Sequence, residues 1–215
     1  MRKIVFTFFF CLITGSAAFA QYFQYGIVIG TDISTFDVNY PIDHDKGWTD
    51  YRYKVGFRVA LAVDYVIIPN KLHISSEFAF TQRGAAQEQT DSIHSKYKYN
   101  INYFQLPVNL LYKVEIGENT KLLAFVGPYF SYALSGKMKS ENKDLRTGQT
   151  WNNTMKYQFG THLKSIDLGF NVGFGFEYYD YFLKLQYDHS LINILPGNGF
   201  YQKNQNIGVS LGFMF

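Results

Sequence analysis

In 215 residues the chain carries 20 Lys and Arg against 17 Asp and Glu, a formal net charge of +3. That balance is too even to mark a nucleic-acid partner, and a lone cysteine excludes an intramolecular disulfide and a cysteine-based metal cluster. Eighteen Tyr and 21 Phe beside only five Pro suit a β-rich chain, soluble or membrane-bound.

The first element is "MRKIVFTFFFCLITGSAAFA". Basic Arg2 and Lys3, an apolar run from Ile4 to Ile13 and a small-residue end at Ala18-Phe19-Ala20 make the three-part pattern of a secretory signal. Its apolar part is shorter than the roughly 20 residues of a membrane helix. Cleavage near Ala20 is expected, with residues 21–215 as one domain. Cys11 leaves with the signal, and 18 basic residues then face 17 acidic ones.

Strands follow, recognised by a two-residue period. The first is expected over 22–31. "KVGFRVALAVDY" (54–65) sets Val55, Phe57, Val59, Leu61, Val63 and Tyr65 on one face against Arg58 and Asp64 on the other. "LHISSEFAFTQR" (72–83) sets Ile74, Phe78 and Phe80 against His73, Glu77 and Arg83. "YFQLPVNLLYKV" (103–114) sets Phe104, Leu106, Val108, Leu110 and Tyr112 against Gln105, Asn109 and Lys113. The fifth, 122–135, reads equally well with either face outward, and Gly127-Pro128 suggests a bulge there. From 166 to 178, Ile166, Leu168, Phe170, Val172, Phe174, Phe176 and Tyr178 alternate without a break against Asp167, Asn171, Glu177 and glycines. The last two strands are expected over 182–193 and 204–215. An unbroken apolar face this long exceeds the usual soluble strand of roughly 5–6 residues.

Connection lengths separate a barrel from a sandwich. A long segment around "PIDHDKGWTD" is followed by the short "IIPNK", then the long "GAAQEQTDSIHSK", the short "EIGENT", a long stretch around "SENKDLRTGQTWNNT", a tight turn at Asp180-Tyr181, and the long "LPGNGFYQK". Strict long–short alternation is the habit of outer-membrane barrels, with long extracellular loops and short periplasmic turns. The fold class is therefore all-β: an eight-stranded antiparallel up-and-down transmembrane barrel. The terminal "NIGVSLGFMF" closes it onto the first strand, because an open edge cannot stand in lipid.

The order of "LHISSEFAFTQRG", "INYFQLPVNLLYK", "FVGPYFSYALSGK", "VGFGFEY", "LKLQYDHSLINI" and "IGVSLGFMF" resembles the PorT-like outer-membrane β-barrel family of Bacteroidetes. The resemblance implies an eight-stranded barrel in the outer membrane and no single activity; its prototype is linked to protein secretion. The aromatic C-terminal strand likewise resembles the signal read by the barrel-assembly machinery. Outer-membrane lipids are then the surroundings, with a protein or glycan partner at the extracellular loops.

A barrel of eight strands has an interior that side chains fill. The expected lumen network is Arg58, Asp64, His73, Glu77, Arg83, Gln105, Asn109, Lys113, Asp167, Asn171, Glu177, Lys184 and Asp188. A symmetric 66–71 turn would set Asp64 opposite His73 and Arg58 diagonal to Glu77. A two-residue turn at Asp180-Tyr181 would set Glu177 opposite Lys184. The expected role is a self-neutralised plug, since buried charges need partners, with a narrow conduction path or a charged active site as the alternative. Catalysis would have to come from Asp43, His44 and Asp45 or from Asp188 and His189, but neighbours in a strand point to opposite faces, and no nucleophile motif is present. His44, His94 and His162 lie on separate loops; no metal, cofactor or enzyme activity is expected. Trp48, Trp151 and Tyr201 are the loop aromatics that are candidates to meet a partner, with simple contact to lipopolysaccharide as the other reading of Trp48 and Trp151, and Tyr112, Tyr178 and Tyr179 fit a periplasmic girdle.

Overall fold

The computed structural model describes residues 22–39, 51–90, 92–197 and 201–215. Its strands are β1 (Phe23–Asn39), β2 (Tyr51–Arg52), β3 (Lys54–Ile68), β4 (Leu72–Arg83), β5 (Ala86–Thr90), β6 (Ile93–Gly117), β7 (Thr120–Asp144), β8 (Thr150–Lys156), β9 (Ile166–Tyr178), β10 (Tyr181–Ser190) and β11 (Tyr201–Met214). Eight of them form a closed antiparallel ring in the order β1–β3–β4–β6–β7–β9–β10–β11, and β11 pairs back onto β1 from Gly26↔Met214 to Asn39↔Tyr201. The short β2, β5 and β8 extend the sheet beyond the ring at the long-loop end. Tyr22, the C-terminal Phe215 and the three short turns share the other end.

The alternation dictates the wall. Outward positions carry Ile27, Ile29, Phe57, Val59, Leu61, Phe78, Val108, Leu110, Val126, Val172, Phe174, Leu183, Val209 and Leu211, all exposed. An apolar belt of this extent is tolerable only against a non-aqueous phase. Rings collect at the short-turn end: Tyr178 meets Tyr179 at 4.7 Å, Tyr181 meets Phe213 at 4.9 Å, and Phe213 meets Phe215 at 5.6 Å.

Inside, an apolar layer in the short-turn half joins Val28, Ala60, Ala62, Ala79, Leu111, Leu123, Phe125, Phe182 and Met214. Small residues make room for the rings. A methyl on Gly212 would stand 2.1 Å from the Phe182 ring, and one on Gly173 would stand 2.3 Å from Phe125.

Several expected details differ. The 66–71 connection is asymmetric: Asn70 takes a left-handed φ of 61° and the register shifts between Val66 and Ile68. His73 therefore stands opposite Val66, while Asp64 stands opposite Ser75. The following hairpin turns at Tyr179-Asp180, with Tyr179 at φ 53°, so Glu177 faces Phe182 and Lys184 faces Gly175. Both registers are two residues from those expected, a slip that preserves the face of every side chain while changing its partner. No bulge lies at Gly127-Pro128, where the pairing with β9 runs unbroken. The β6–β7 register instead shifts where Asn102 pairs Ser135 and Tyr103 pairs Ala133, leaving Leu134 as an extra residue. Strand lengths differ too: β1 runs on to Asn39, β10 stops at Ser190, and β6 and β7 reach 25 residues each.

Candidate functional site: a packed lumen beneath an outer sheet

Inward positions on all eight ring strands converge on a polar interior that is layered along the barrel axis. At the short-turn mouth, Lys113 and Lys121 hold opposite oxygens of Glu177 at 2.7 and 3.1 Å. Asp64 is 3.9 Å from Lys113 and 4.0 Å from His73, a diagonal approach rather than a facing pair. An open cavity of about 450 Å³ leads in past Tyr22, Pro69, Asn70, Lys121 and Asp180. Deeper, Lys184 pairs with Glu77 and its ammonium sits 4.7 Å from the centre of the Phe182 ring.

The centre is a two-arginine cluster. Arg58 donates to Gln105 at 2.9 Å, Asp188 at 3.3 Å, and Asp32 and Glu77 at 3.4 Å each. Arg83 donates to Asp188 at 2.6 Å and Gln105 at 2.7 Å, lies 3.9 Å from Asp167, and is 5.3 Å from the Tyr129 ring centre. Asp188 also accepts from Gln186 at 3.0 Å and Asn206 at 3.2 Å. Asp167 accepts from Asn204 at 2.8 Å, Tyr129 and Ser190. Both arginines are fully buried, so every contact operates in a low-dielectric interior where an unpaired charge is costly.

Every residue of the expected lumen network is buried on the inner face. Their connections are uneven: the carboxamide oxygens of Asn109 and Asn171 accept no hydrogen bond among the described residues. Several members escaped the sequence reading. Asp32, which accepts from Arg58, Asn206 and the Thr81 hydroxyl, lies one residue past the expected end of β1. Asn204, Asn206, Gln186 and Ser190 share the inward parity of Asp188 and Ser210, and that parity is the signal that could have found them.

Above the arginines the lumen turns apolar. Phe36, Ala85, Ile101, Tyr103, Ala133, Leu163 and Ile194 form a second core, with Tyr51, Tyr99, Tyr157 and Phe159 packed on it. Phe36, Tyr51 and Tyr99 meet edge-on at 5.5 to 5.8 Å. These side chains come from four strands and from the long connections, which fold inward as a lid on the interior.

The family model described as outer membrane protein beta-barrel domain matches residues 19–195. The chain belongs to that family. This outer-membrane barrel is also similar in structure to Ail, the attachment invasion locus protein of Yersinia pestis, at 17% identity over 88% of this chain and 98% of that one, TM-score 0.38. Neisserial surface protein A is similar at 12% identity over 89% and 97%, TM-score 0.41. The outer membrane protease OmpT of Escherichia coli is similar at 9% identity over 90% and 96%, TM-score 0.32. No curated protein matches the chain.

The barrel is thus integral to the outer membrane. The remaining sequence candidates are scattered. Residues 1–21, and with them the expected signal, lie outside the described residues, as do Asp43, His44, Asp45 and Trp48. Asp188 points into the lumen, whereas His189 sits on the outer face against Tyr187 and Phe170. His94 pairs with Glu88 at 3.0 Å, and His162 accepts from the Gln158 amide at 3.0 Å. No group of three metal-ligating side chains occurs among the described residues. Trp151 is exposed on β8, and Tyr201 is half-buried at the start of β11 beneath the Lys203 ammonium, 5.3 Å away.

Proposed function

We propose that the protein is a non-enzymatic surface barrel whose lumen is a closed polar plug and whose extracellular loops engage a protein or glycan partner. The observation that carries this reading is the double filling of the interior: a charge-paired arginine cluster under an apolar lid. A strand of about 9–11 residues spans a membrane, while β6 and β7 have 25 residues each. On β7 the outward apolar series ends at Leu134, so residues 135–144 stand beyond the belt on the loop side, where Trp151 and Tyr201 are the aromatic contacts offered to a partner. The Asp188–His189 pair, split between two faces, supports a role without catalysis.

Planar-bilayer recording tests the closed lumen: no stepwise conductance is expected, and regular channel steps would overturn it. Trp151→Ala and Tyr201→Ala should weaken surface binding of the partner while leaving the barrel folded.

A second reading, the PorT-like one, makes the barrel an accessory of a secretion or surface-assembly machine. The open periplasmic mouth, rimmed by Lys121, Glu177 and Asp180, favours it as a docking point. Deleting the gene and comparing the secreted and surface proteins separates the two: broad loss of exported proteins supports the machine, and an unchanged profile supports the stand-alone barrel. In either case the signal is removed near Ala20, the remainder forms one barrel domain, and the aromatic C-terminal strand is the part presented to the assembly machinery.

A further inference from the structure

The outer sheet has two unlike faces, and the register of its strands separates them. Across β5, β6, β7 and β8, Gln87, Tyr97, Ser140 and Asn153 form one row, and Gln89, Ser95, Asn142 and Trp151 form another. Both rows continue the inner side of the barrel. The rows between them continue the lipid-facing side: Asn100 with Lys137 and Lys156, Lys98 with Lys139 and Thr154, Lys96 with Glu141 and Asn152, and His94 with Lys143 and Thr150. Arg52 adds a further cation beside Ala86. Six lysines and one arginine thus face two carboxylates, Glu88 and Glu141.

The carboxylates are already taken. Glu88 binds Arg52 at 2.8 Å, His94 at 3.0 Å and Lys96 at 3.5 Å, and Glu141 binds Lys98 at 3.1 Å. Lys137, Lys139, Lys143 and Lys156 have no carboxylate within 4 Å among the described residues. Two pairs also stand directly opposite like charges, Lys98 with Lys139 and Lys137 with Lys156. Facing like charges destabilise a sheet, and an anion lying between them reverses that effect.

Position identifies the anion. On β7 the outward apolar series is Leu122, Val126, Phe130, Tyr132 and Leu134; Ser135 follows, and Lys137 is the next outward residue. The lysines therefore begin where the hydrocarbon belt ends, on a wall continuous with it, at the level of the outer-leaflet headgroups.

We propose that this lysine face of β7 and β8 binds the phosphate groups of the outer leaflet's own glycolipid, fixing the outer sheet upright against the membrane surface. It is distinct from any partner site on the loops, because Trp151 lies on the opposite face. Ammonium groups on flexible stems suit phosphates as mobile point charges.

The test uses the full barrel refolded in zwitterionic detergent, titrated with bisphosphoryl lipid A, with the same lipid stripped of both phosphates, and with a sulfated oligosaccharide. Bisphosphoryl lipid A should bind and raise the temperature at which the folded gel mobility is lost. Lys137→Gln and Lys156→Gln should each weaken binding roughly fivefold, the factor for one basic group at an anionic lipid surface. The variant with Lys137, Lys139, Lys143 and Lys156 all changed to Gln should lose binding altogether, and Lys71→Gln on a periplasmic turn should change nothing. Retention of the heat-dependent gel shift checks that each variant is folded; if the fourfold variant is not, the single variants decide. The proposal is overturned if the variants bind like the parent, if the phosphate-free lipid binds equally, or if the sulfated sugar displaces lipid A, which would make this face a receptor for soluble polyanions.

Discussion

Replacing Asp188 by alanine is the sharpest perturbation of the lumen. Its carboxylate is completely buried and receives Arg83, Arg58, Gln186, Asn206 and Gln105 at 2.6 to 3.4 Å. Arg58 would keep Asp32 and Glu77, both at 3.4 Å. Among carboxylates of the described residues Arg83 would keep only Asp167, at 3.9 Å, beside its neutral bond to Gln105 at 2.7 Å. The variant therefore leaves one guanidinium in the barrel centre without a close counter-ion. Removing one partner of a buried ion pair costs about 3–5 kcal/mol, and Asp188→Ala should fall in that range. Asp188→Asn, which keeps one acceptor oxygen but turns an amide donor toward other donors, should cost about 1–3 kcal/mol, the penalty for a buried polar group left unsatisfied. Adding Arg83→Met to Asp188→Ala should recover only part of the loss, because the stranded guanidinium is gone while Asp167 in turn loses its 3.9 Å counter-ion. The assay is urea unfolding in phospholipid vesicles, read by heat-dependent gel mobility. A loss below about 1 kcal/mol, the size found for exposed pairs, would mean that water screens the lumen and that the argument from burial is wrong.

Three further outcomes are expected. Val172→Arg places a guanidinium midway along the outward face of β9 and should cost about 2–4 kcal/mol in a bilayer, measured by the same unfolding; no cost would mean that this face is not lipid-exposed. Gly169→Ala puts a methyl 2.1 Å from the His189 carbonyl oxygen and 2.6 Å from the Tyr129 ring, so overpacking should destabilise by about 1–3 kcal/mol, with unchanged stability showing that the wall yields freely. The Asp144 carboxylate accepts the Thr147 and Arg146 amides at 3.0 and 2.8 Å, which hold its pKa below the usual value of 3.8. Its support for the β7–β8 turn is therefore full above pH 3.8 and lost as pH falls through the lowered value; amide chemical shifts of Arg146 and Thr147 should move only in that acid range, and a midpoint above 3.8 would contradict the bonding.

What the sequence determined by itself is the sidedness of the wall. A two-residue period is local, so the apolar series from Ile166 to Tyr178 or from Ile207 to Phe215 declares its face without knowledge of any neighbour. Loop lengths add the up-and-down order, and a polar inner face with no unpaired edge adds closure. Register is different, because turn conformation decides it. Asn70 and Tyr179 in left-handed conformations moved two hairpins by two residues, which kept Asp64, His73, Glu177 and Lys184 on the inner face yet gave them new partners: Glu177 with Lys113 and Lys121, and Lys184 with Glu77. The central cluster joins residues up to 174 positions apart, as Asn206 and Asp32 are, so only ring closure could assemble it. The strongest case is Leu134. One extra residue there reverses the parity of β7, turning Lys137, Lys139 and Lys143 outward instead of into the lumen. No local pattern marks that residue; it is set by how β6 and β7 pair over their full length.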